Sequence, residues 1–285
     1  MIPPVYVVGA SGRSGVALCR ALLAADMPFV PVVRNAARWA ATGLAGTPRL
    51  LDLLAPDPAA LAGAEQIVSC AHARHASALL HISPAEKHVF LGSTRRYSRW
   101  TDAHGDGVRA GEAAFRADGR PGVMLHPTMI YGAAGENNVQ RLAALLRRLP
   151  FVPLPGGGQS LVQPIHQSDL TRCILAALDT DWDGPQVVTI AGPAPLTYAE
   201  FVRAVARAAG LRPPRIVPVA GAILRAVAPL TRLPGLPRIG TDEIRRLLED
   251  KAFDITLMRR MLGVDPMPLE AGLALTFQEH ADARP

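Results

Sequence analysis

Cysteine is scarce in this chain of 285 residues, and lysine is scarcer still. The three cysteines, Cys19, Cys70 and Cys173, are far apart and odd in number, which excludes the paired framework typical of small secreted domains. A low cysteine content agrees with a reducing compartment, so we expect the protein in the cytoplasm. Of the 30 basic residues only Lys87 and Lys251 are lysines, and arginine supplies the rest.

Long uncharged apolar runs are also missing. A membrane-spanning helix needs about 20 such residues, and the longest candidate, Ile216 to Leu224, is ended by Arg225. We interpret this run as a core or interfacial helix and expect no membrane span. The first residues, MIPPVYVVGASG, lack the basic segment and the cleavage site of a signal peptide.

The excess of basic residues, a formal net charge of +6, is dispersed along the chain. A nucleic acid partner would require clustered basic side chains. The arginine pairs, which are typical of solvated helix faces, are at Arg95-Arg96, Arg147-Arg148, Arg245-Arg246 and Arg259-Arg260. We therefore expect a small-molecule substrate and no nucleic acid partner.

Short apolar runs of strand length alternate with helix-compatible segments. This alternation predicts an α/β fold, a Rossmann-like doubly wound parallel sheet that binds ligands at the carboxyl ends of its strands. The predicted strands are Val5–Gly9, Phe29–Val33, Arg49–Leu53, Gln66–Cys70, His88–Gly92, Gly122–His126 and Pro185–Gly192. The predicted helices include Gly15–Ala25, Ser77–Ile82 and Gln167–Leu178.

The pattern loosens after Pro127 and predicts two domains. We assign residues 1–192 to a nucleotide-binding domain, with a core of 1–132 and a sheet completed by 160–192. Residues 193–285 are predicted to form a smaller, mostly helical substrate-binding lobe, because helical stretches there are interrupted by prolines. The segment Phe151 to Gln159, rich in proline and glycine, is predicted to be a loop.

The strongest local signal is the stretch VYVVGASGRSGVALCRAL, in which three glycines are spaced G-x-x-G-x-x-G between a predicted strand and a predicted helix. Glycine at these positions allows a tight turn, lets the backbone approach a pyrophosphate and lets the helix pack on the strand. The start of the helix favours an anion through its N–H groups and its dipole. The predicted cofactor contacts in this loop are Gly9, Ser11, Gly12, Arg13, Ser14 and Gly15.

The residue after the second strand indicates which cofactor is bound. An NAD site usually has an acidic residue there, whereas an arginine accommodates a 2′-phosphate. Here Arg34 follows the strand without an acidic neighbour, and Arg13 lies inside the glycine loop. Two guanidinium groups suit one phosphate, so we predict NADP as the cofactor and NAD as the alternative. Both arginines also suit an ordinary solvated surface.

Further stretches resemble the extended and atypical short-chain dehydrogenases, a superfamily that includes NAD-dependent epimerases and dehydratases and NAD(P)H-binding complex-I-associated proteins. HVFLGST (His88 to Thr94) resembles the strand that ends near the nicotinamide, and LHPTMIYG (Leu125 to Gly132) resembles a later strand end. Similar elements are QPIHQSDL, TIAGPAPLTYAEFVRAVARAAG and LEDKAFDITLMRRMLGVDPMPLEAGL. The resemblance covers nearly the whole chain, and it implies that Ser93, Thr94, His126 and Pro127 lie near a nicotinamide cofactor.

The catalytic pair of that superfamily is missing. Its members have a Tyr, a Lys four residues later and a Glu four residues after that, and the stretch GEAAF aligns this Glu with Glu112. The Lys position then falls on Val108 and the Tyr position on His104. No Tyr in the chain has a Lys four residues later, so the usual acid/base group, a Tyr tuned by a Lys, is absent.

Two side chains are candidates to replace that group. His104 is one, because an imidazole ordinarily titrates near neutral pH, although DAHGDG also suits an ordinary polar loop. Tyr97 is flanked by two arginines, whose charges would favour its phenolate, although it also suits an exposed loop. Ser93 and Thr94 complete the catalytic candidates, unless they only end a strand.

Polar residues also follow two other predicted strands. Cys70, His72 and His75 in SCAHARH have the side-chain types of metal ligands, but a fourth ligand is missing and we predict no metal site. We expect Cys70 and Ala71 to contact the cofactor through their backbone. Asp52 is expected beside the adenine, unless it only ends its strand.

Two functions of different class fit these features. One is an NADP-dependent oxidoreductase or epimerase-type enzyme that acts on a small or lipid-like substrate. The apolar stretch Val219 to Leu230 favours a hydrophobic substrate, although an amphipathic core helix has the same composition. The other is a non-catalytic NAD(P)H-binding regulatory or structural module, which the missing Tyr and Lys favour.

Overall fold

A computed structural model describes residues 3–133, 138–149, 151–222 and 247–282, with side chains described as far as residue 278. The chain forms two compact units, each assembled from separate stretches of sequence. The first unit comprises Met1–Thr128, Gln167–Ile190 and Asp254–Asp265, and the second comprises Met129–His166, Ala191–Phe253 and Pro266–Pro285. The domain boundary that we placed at residue 192 stays a prediction.

A seven-stranded parallel sheet forms the centre of the first unit. Its strands are β1 (Val5–Val8), β2 (Phe29–Val33), β3 (Arg49–Leu50), β4 (Gln66–Ser69), β5 (Lys87–Leu91), β6 (Gly122–Pro127) and β11 (Pro185–Ile190). The strand order is β11-β6-β5-β4-β1-β2-β3. The strand order therefore reverses beside β1, as it does in doubly wound sheets, and the predicted fold class is confirmed.

Helices cover both faces of this sheet, so its central strands consist mainly of buried apolar residues. Every residue of β1 and of β6 is buried, as expected for continuous apolar runs in parallel sheets. The helices of the unit are α1 (Arg13–Ala24), α2 (Ala36–Ala40), α3 (Ala76–Ile82), α4 (Ala103–Asp118), α6 (Gln167–Asp179) and α8 (Thr256–Leu262). Gly119, with a φ of +82°, ends α4 in the left-handed conformation common after helices.

The register of the sheet brings several strand ends to one edge. Val8, the last residue of β1, is paired with Val32 on one side and with Ser69 on the other. Because these strands are parallel, the segments that follow them emerge at the same edge. Gly9, Arg34 and Cys70 therefore belong to neighbouring connections at the carboxyl edge of the sheet.

The described part of the second unit combines helices with three short strand pairs. Its helices are α5 (Asn138–Leu146), α7 (Tyr198–Ala208) and α9 (Leu269–Asp282). The parallel pairs are β7 (Ile130–Tyr131) with β10 (Ile165–His166) and β8 (Phe151–Pro155) with β13 (Arg215–Val219), and the antiparallel pair is β9 (Leu161–Val162) with β12 (Leu196–Thr197). Tyr131, Phe201 and Leu273 lie in its hydrophobic core. Among the described residues, we find no helix whose length and apolar character would allow it to cross a bilayer.

Two local predictions in this unit are wrong. The predicted loop Phe151 to Gln159 begins with strand β8, in which buried Val152 and Leu154 alternate with exposed residues, a pattern typical of strands. The predicted helix Ile216 to Leu224 begins in strand β13, because its β-branched residues favour strand geometry. Both this helix and the apolar stretch Val219 to Leu230 lie outside the described residues from position 223 onward.

Candidate functional site

The turn after β1 needs glycine at two positions for different reasons. Gly9 has a φ of +79°, which favours glycine, and a Cβ atom there would lie 3.0 Å from the backbone nitrogen of Ala71. At Gly15 a Cβ atom would overlap the carbonyl oxygen of Gly9. Helix α1 therefore packs directly on the turn, and the glycine spacing reflects this close approach of backbone to backbone.

Helix α1 begins at this turn without a side-chain cap. Its N-cap residue is Gly12, which has no side chain to accept from the first N–H groups, and the first helical turn contains no acidic residue. The Gly12 N–H donates to the carbonyl oxygen of Gly9 at 2.9 Å. N–H groups at an uncapped helix start, together with the positive end of the helix dipole, favour an anion in front of the helix.

A concave pocket of about 330 Å³ lies at the carboxyl ends of β1, β2, β3 and β4. The predicted cofactor contacts among its lining residues are Gly9, Ser11, Gly12, Arg34, Asp52, Cys70 and Ala71. Three further residues that were not predicted as cofactor contacts line the same pocket, namely Arg38, His72 and His75. Arg38 was detectable, because it lies only four residues after Arg34, in the connection that follows β2.

Two cations and one carboxylate share this pocket. Arg34 and Arg38 are exposed, and Arg38 belongs to helix α2, whose N-cap Asn35 accepts from the Arg38 N–H at 3.1 Å. Oδ1 of Asp52 accepts from the N–H of Leu54 at 3.0 Å. The pocket thus offers two guanidinium groups to an anion and one carboxylate to an N–H donor.

Burial favours the neutral forms of two other ionisable groups of the pocket, His75 and Cys70. Burial and the charge of Arg74 lower the pKa of His75, and Asp52 opposes this effect. Burial raises the pKa of the Cys70 thiol to about 12, so the thiol is a poor nucleophile and a poor metal ligand at neutral pH. No group of three or more His, Cys, Asp or Glu side chains in the described part of the chain is placed to hold a metal ion.

Three of the cofactor contacts predicted in the glycine loop do not line the pocket. Arg13 is exposed at the first residue of α1, and Gly15 is buried against the turn. The Ser14 hydroxyl donates to Oε1 of Gln167 at 3.2 Å. A direct contact of these residues with a cofactor stays a prediction.

The ends of β5 and β6 are joined by hydrogen bonds. The N–H of Ser93 donates to Nδ1 of His126 at 3.0 Å, and the hydroxyl of Thr94 donates to the carbonyl oxygen of Pro127 at 3.2 Å. The fold therefore brings these four predicted site residues together, one strand further along the same edge. Their contact with a cofactor stays a prediction.

A buried carboxylate, Glu112 of α4, lies behind this edge with an exposure of 4%. Its Oε2 accepts from Nε2 of His126 at 2.8 Å. Its Oε1 accepts from Arg96 at 2.7 Å and from Arg116 at 3.0 Å. Burial tends to raise the pKa of Glu112, but hydrogen bonds from His126 and Arg116 and the charge of Arg96 outweigh it and lower the pKa to about 2. The ionised carboxylate therefore joins α4 to β6.

Helix α4 holds the aligned Tyr and Lys positions at different depths. Val108 is 1% exposed and belongs to the hydrophobic core of the unit. His104 lies one turn closer to the helix start and is half-buried. It belongs to the helix Ala103–Asp118, so the alternative interpretation of DAHGDG as a polar loop is wrong.

His104 contacts His72, and this contact connects the predicted acid/base position to the pocket. Nε2 of His72 and Nδ1 of His104 are 3.1 Å apart, and the rings meet edge to face with centroids 4.3 Å apart. His72 itself lines the pocket. Both histidines stand out in the sequence, but their contact does not, because 32 residues separate them and only the fold brings them together.

Tyr97, the other acid/base candidate, ends a 3-10 helix over Thr94–Tyr97 and is 49% exposed. Its hydroxyl oxygen lies 3.1 Å from Oγ1 of Thr189. The guanidinium of Arg96 lies 4.8 Å from the centre of the Tyr97 ring, where a cation is attracted by the aromatic face. Tyr97 is thus held at the edge of the sheet, and its role in chemistry stays a prediction.

The strand order defines a Rossmann-like α/β fold, and solved structures share this fold. A UDP-glucuronic acid 4-epimerase from Bacillus cereus, in complex with UDP-glucuronic acid and NAD, has a TM-score of 0.74 at 16% identity, covering 99% of this chain and 100% of that one. The dTDP-glucose 4,6-dehydratase DesIV from Streptomyces venezuelae, with NAD bound, has a TM-score of 0.72 at 19% identity, covering 99% and 98%.

A third solved structure extends the likeness to the wider superfamily. A short-chain dehydrogenase/reductase superfamily protein from Agrobacterium tumefaciens, with bound NAD, has a TM-score of 0.70 at 14% identity, covering 98% of each chain. At these identities the likeness establishes the fold. The resemblance derived from the motifs is therefore confirmed at the level of the fold.

Comparison of sequences adds relatives without a known activity. No family model matches the chain. Uncharacterized proteins of Mycobacterium bovis and Mycobacterium tuberculosis are 29% identical to it over 275 residues, which cover 92% of this chain and 28% of each relative. The chain thus spans about 28% of the length of the curated relatives that it matches.

Proposed function

We propose that the protein is an NADP(H)-dependent oxidoreductase or epimerase-type enzyme that binds the dinucleotide in the pocket at the carboxyl edge of the sheet. The observation that carries this proposal is the composition of the pocket, in which the glycine turn at the start of α1 meets Arg34 and Arg38. The turn suits a pyrophosphate. The two guanidinium groups suit a ribose 2′-phosphate.

The remaining pocket residues fit a dinucleotide as well. Gly12 has no side chain to obstruct the space in front of α1, and a Cβ atom there would already approach the carbonyl oxygen of Gly9 to 3.2 Å. The Asp52 carboxylate suits the amino group of an adenine. Fold neighbours were solved with NAD, which supports a nicotinamide dinucleotide, whereas the preference for NADP rests on Arg34 and Arg38.

A bound nicotinamide supplies the hydride donor or acceptor of such a reaction. The chain itself has to place a hydrogen-bond donor beside the reacting oxygen of the substrate. His104 is our first candidate, because it occupies the aligned Tyr position and contacts the pocket through His72. Ser93 and Thr94 are further donors, and Tyr97 is the alternative to His104.

The proposed substrate is a small molecule with a carbonyl or secondary alcohol group, and the proposed place of action is the cytoplasm. A fold neighbour was solved with UDP-glucuronic acid, so nucleotide sugars form one class to test. Apolar carbonyl compounds form the other class, because the apolar stretch Val219 to Leu230 favours a hydrophobic substrate.

A second candidate function is a non-catalytic NADP(H)-binding module. It is favoured by the burial of Val108, since an apolar core residue stands where the superfamily has the Lys that tunes its acid/base group. Both candidate functions require a bound cofactor, and they differ in turnover.

Calorimetry and turnover measurements test both candidates. We expect the purified protein to bind NADPH, and Gly12→Val to lose this binding because the branched side chain occupies the space of the pyrophosphate. The exposed helix substitution Ala117→Val is the matched control. Turnover of NADPH with a panel of aldehydes, ketones and keto-sugar nucleotides supports the enzyme, and binding without turnover supports the module. A folded protein that binds neither NADPH nor NADP contradicts the proposal.

A further inference from the structure

The contact between His72 and His104 contains one hydrogen bond whose direction the neighbouring backbone determines. Nε2 of His72 faces Nδ1 of His104 at 3.1 Å, so one of these two nitrogens carries the hydrogen. The N–H of Arg74 donates to the other nitrogen of His72, Nδ1, at 3.0 Å. A neutral imidazole has one donor nitrogen and one acceptor nitrogen. His72 therefore carries its hydrogen on Nε2 and donates to His104.

The same rule then applies to His104. Because its Nδ1 accepts from His72, a neutral His104 carries its own hydrogen on Nε2. We infer that His72 is a positioning residue, which holds His104 as the neutral Nε2–H tautomer so that it serves a ligand oxygen as an uncharged hydrogen-bond donor. The presence of a carbonyl ligand beside His104 rests on the proposed function. The tautomer and the charge of His104 do not depend on it.

The surroundings of the histidine pair oppose a positive charge. Protonation of His104 at Nδ1 would place its new N–H against the N–H of His72. Burial lowers the pKa of His72 to about 4. A proton on His104 or His75 would act in the same direction, as the charges of Arg74 and Arg95 do. Protonation of His72 at Nδ1 would also break its hydrogen bond with the Arg74 N–H.

Helix α4, which carries His104, also disfavours protonation of this residue. His104 is the second residue of α4, where the positive end of the helix dipole disfavours a cation. The two carboxylates of this first turn already have partners: Asp102 pairs with Arg95 at 3.5 Å, and Asp106 pairs with Arg109. A neutral histidine at a helix start is a known means of polarising a carbonyl group.

Close packing fixes the geometry of the pair. Helix α4 lies against the 3-10 turn over Ala73–His75, and a Cβ atom at Gly111 would overlap the carbonyl oxygen of Ala73. A Cβ atom at Gly107 would lie 3.0 Å from Cε1 of His72. Glycine at these two positions therefore allows the helix to approach closely enough for the two imidazole rings to meet.

The direct test is nitrogen-15 NMR of the labelled full chain at neutral pH, because long-range couplings distinguish the two imidazole tautomers. We expect His72 and His104 each to carry one hydrogen, on Nε2. A hydrogen on Nδ1 of His104, or comparable amounts of the two tautomers, overturns the inference. This readout needs neither turnover nor bound cofactor, so failure of the inference is distinguishable from failure of the proposed function.

The substitution His72→Asn separates the positioning role from a structural role. Asparagine is a good N-cap residue, so it keeps an acceptor for the Arg74 N–H, but its side chain is too short to replace Nε2 of His72. We expect a folded variant in which His104 populates both tautomers and becomes protonated at a higher pH than in the parent. His81→Asn, at an exposed histidine of α3 that does not line the pocket, is the control and should leave His104 unchanged.

Activity gives a second readout where turnover is found. Loss of one positioned hydrogen bond should lower kcat for reduction about tenfold in His72→Asn, and the pH profile of kcat should then follow the protonation of His104. A His72→Asn variant with the tautomer of His104 and the pH profile of the parent would show that His72 has only a structural role.

Discussion

Nε2 of His126 lies 2.8 Å from Oε2 of Glu112, and both side chains are buried. Nδ1 of His126 accepts from the N–H of Ser93, so the hydrogen of the neutral ring is on Nε2 and points at the carboxylate. Glu112 and His104 belong to the same helix, α4. The contact between Glu112 and His126 therefore anchors the candidate acid/base helix to the end of β6.

Removal of the Glu112 charge should destabilise the protein strongly. Glu112→Gln leaves Arg96 and Arg116 without their shared carboxylate, and loss of one partner from a buried ion pair costs about 3 to 5 kcal/mol. Arg116 is half-exposed, so we expect the lower end of this range in the free energy of unfolding, measured with urea at neutral pH. The exposed substitution Glu86→Gln is the control and should change stability by less than about 0.5 kcal/mol.

The contribution of Glu112 should also disappear at low pH. Its pKa is lowered from 4.5 to about 2, so the stabilisation is complete above pH 4.5 and is lost as the pH falls towards 2. A change of this size corresponds to about 3 kcal/mol. The difference in unfolding free energy between the parent and Glu112→Gln should shrink across this interval. A difference that stays constant with pH would contradict the ionised network.

A second pH effect is expected at higher pH from His88, whose side chain is fully buried. Burial and the charge of Arg120 lower its pKa from 6.5 to about 4, against the opposing charge of Asp118. The folded state therefore favours the neutral ring, so stability is complete above pH 6.5 and falls as the pH decreases towards 4. The free energy of unfolding should fall by up to about 3 kcal/mol across this interval.

The substitution His88→Phe tests this effect, because a phenyl ring can still stack on Phe90. We expect the variant to lose the part of the pH dependence that lies between pH 6.5 and 4, as followed by urea unfolding at several pH values. His81→Phe, at an exposed histidine, should keep the pH dependence of the parent. An unchanged slope in His88→Phe would show that His88 is not the group responsible.

The packing of α4 on the turn over Ala73–His75 should tolerate no side chain at Gly111. A Cβ atom there would overlap the carbonyl oxygen of Ala73, which is backbone and cannot swing away. Alanine normally favours a helix over glycine by about 1 kcal/mol, yet we expect Gly111→Ala to lower stability by about 1 to 3 kcal/mol through overpacking. Gly107→Ala should cost less, since its Cβ atom would approach side-chain atoms of His72 and Arg74 to 3.0 and 3.1 Å without overlapping backbone. Equal effects of the two substitutions would contradict this account.

The sheet was predictable from the sequence because its strands are short apolar runs that both faces of the sheet keep buried. Gly9, Gly12 and Gly15 were predictable for the same kind of local reason, since a tight turn and close helix packing both exclude side chains. The strand β8 was missed because proline and glycine around it suggest a loop, while its pairing partner, β13, lies 60 residues or more along the chain.

The candidate site was predictable only in part, because side-chain contacts depend on the fold. Arg34 and Asp52 follow strands, so the predicted strand ends were enough to predict their position at the edge of the sheet. The partnership of His72 with His104 depends on how α4 crosses the turn after β4, and no local pattern encodes that distance. The apolar side chain of Val108 likewise suggested burial. That it is almost completely buried depends on how α4 packs on the rest of the unit, which the sequence does not show.

The choice of cofactor should depend on the arginines that line the pocket. Arg34 and Arg38 are four residues apart in the chain and both line it, whereas Arg13 does not. A hydrogen bond to a charged group contributes about 1.5 to 3 kcal/mol, and about 1.4 kcal/mol corresponds to a tenfold change in affinity. We therefore expect NADPH to bind at least about tenfold more tightly than NADH at low salt, where exposed charges are least screened.

Single and double substitutions locate the source of this preference. Arg34→Ala and Arg38→Ala should each weaken NADPH binding and barely change NADH binding, because only NADPH has a 2′-phosphate for the guanidinium groups to contact. The double variant should bind the two cofactors alike, and Arg20→Ala, an exposed position on α1, is the charge-matched control. Titration calorimetry measures all of these affinities. Equal affinities in the parent protein, or variants that weaken both cofactors to the same extent, would show that Arg34 and Arg38 are solvated surface residues and that the 2′-phosphate assignment is wrong.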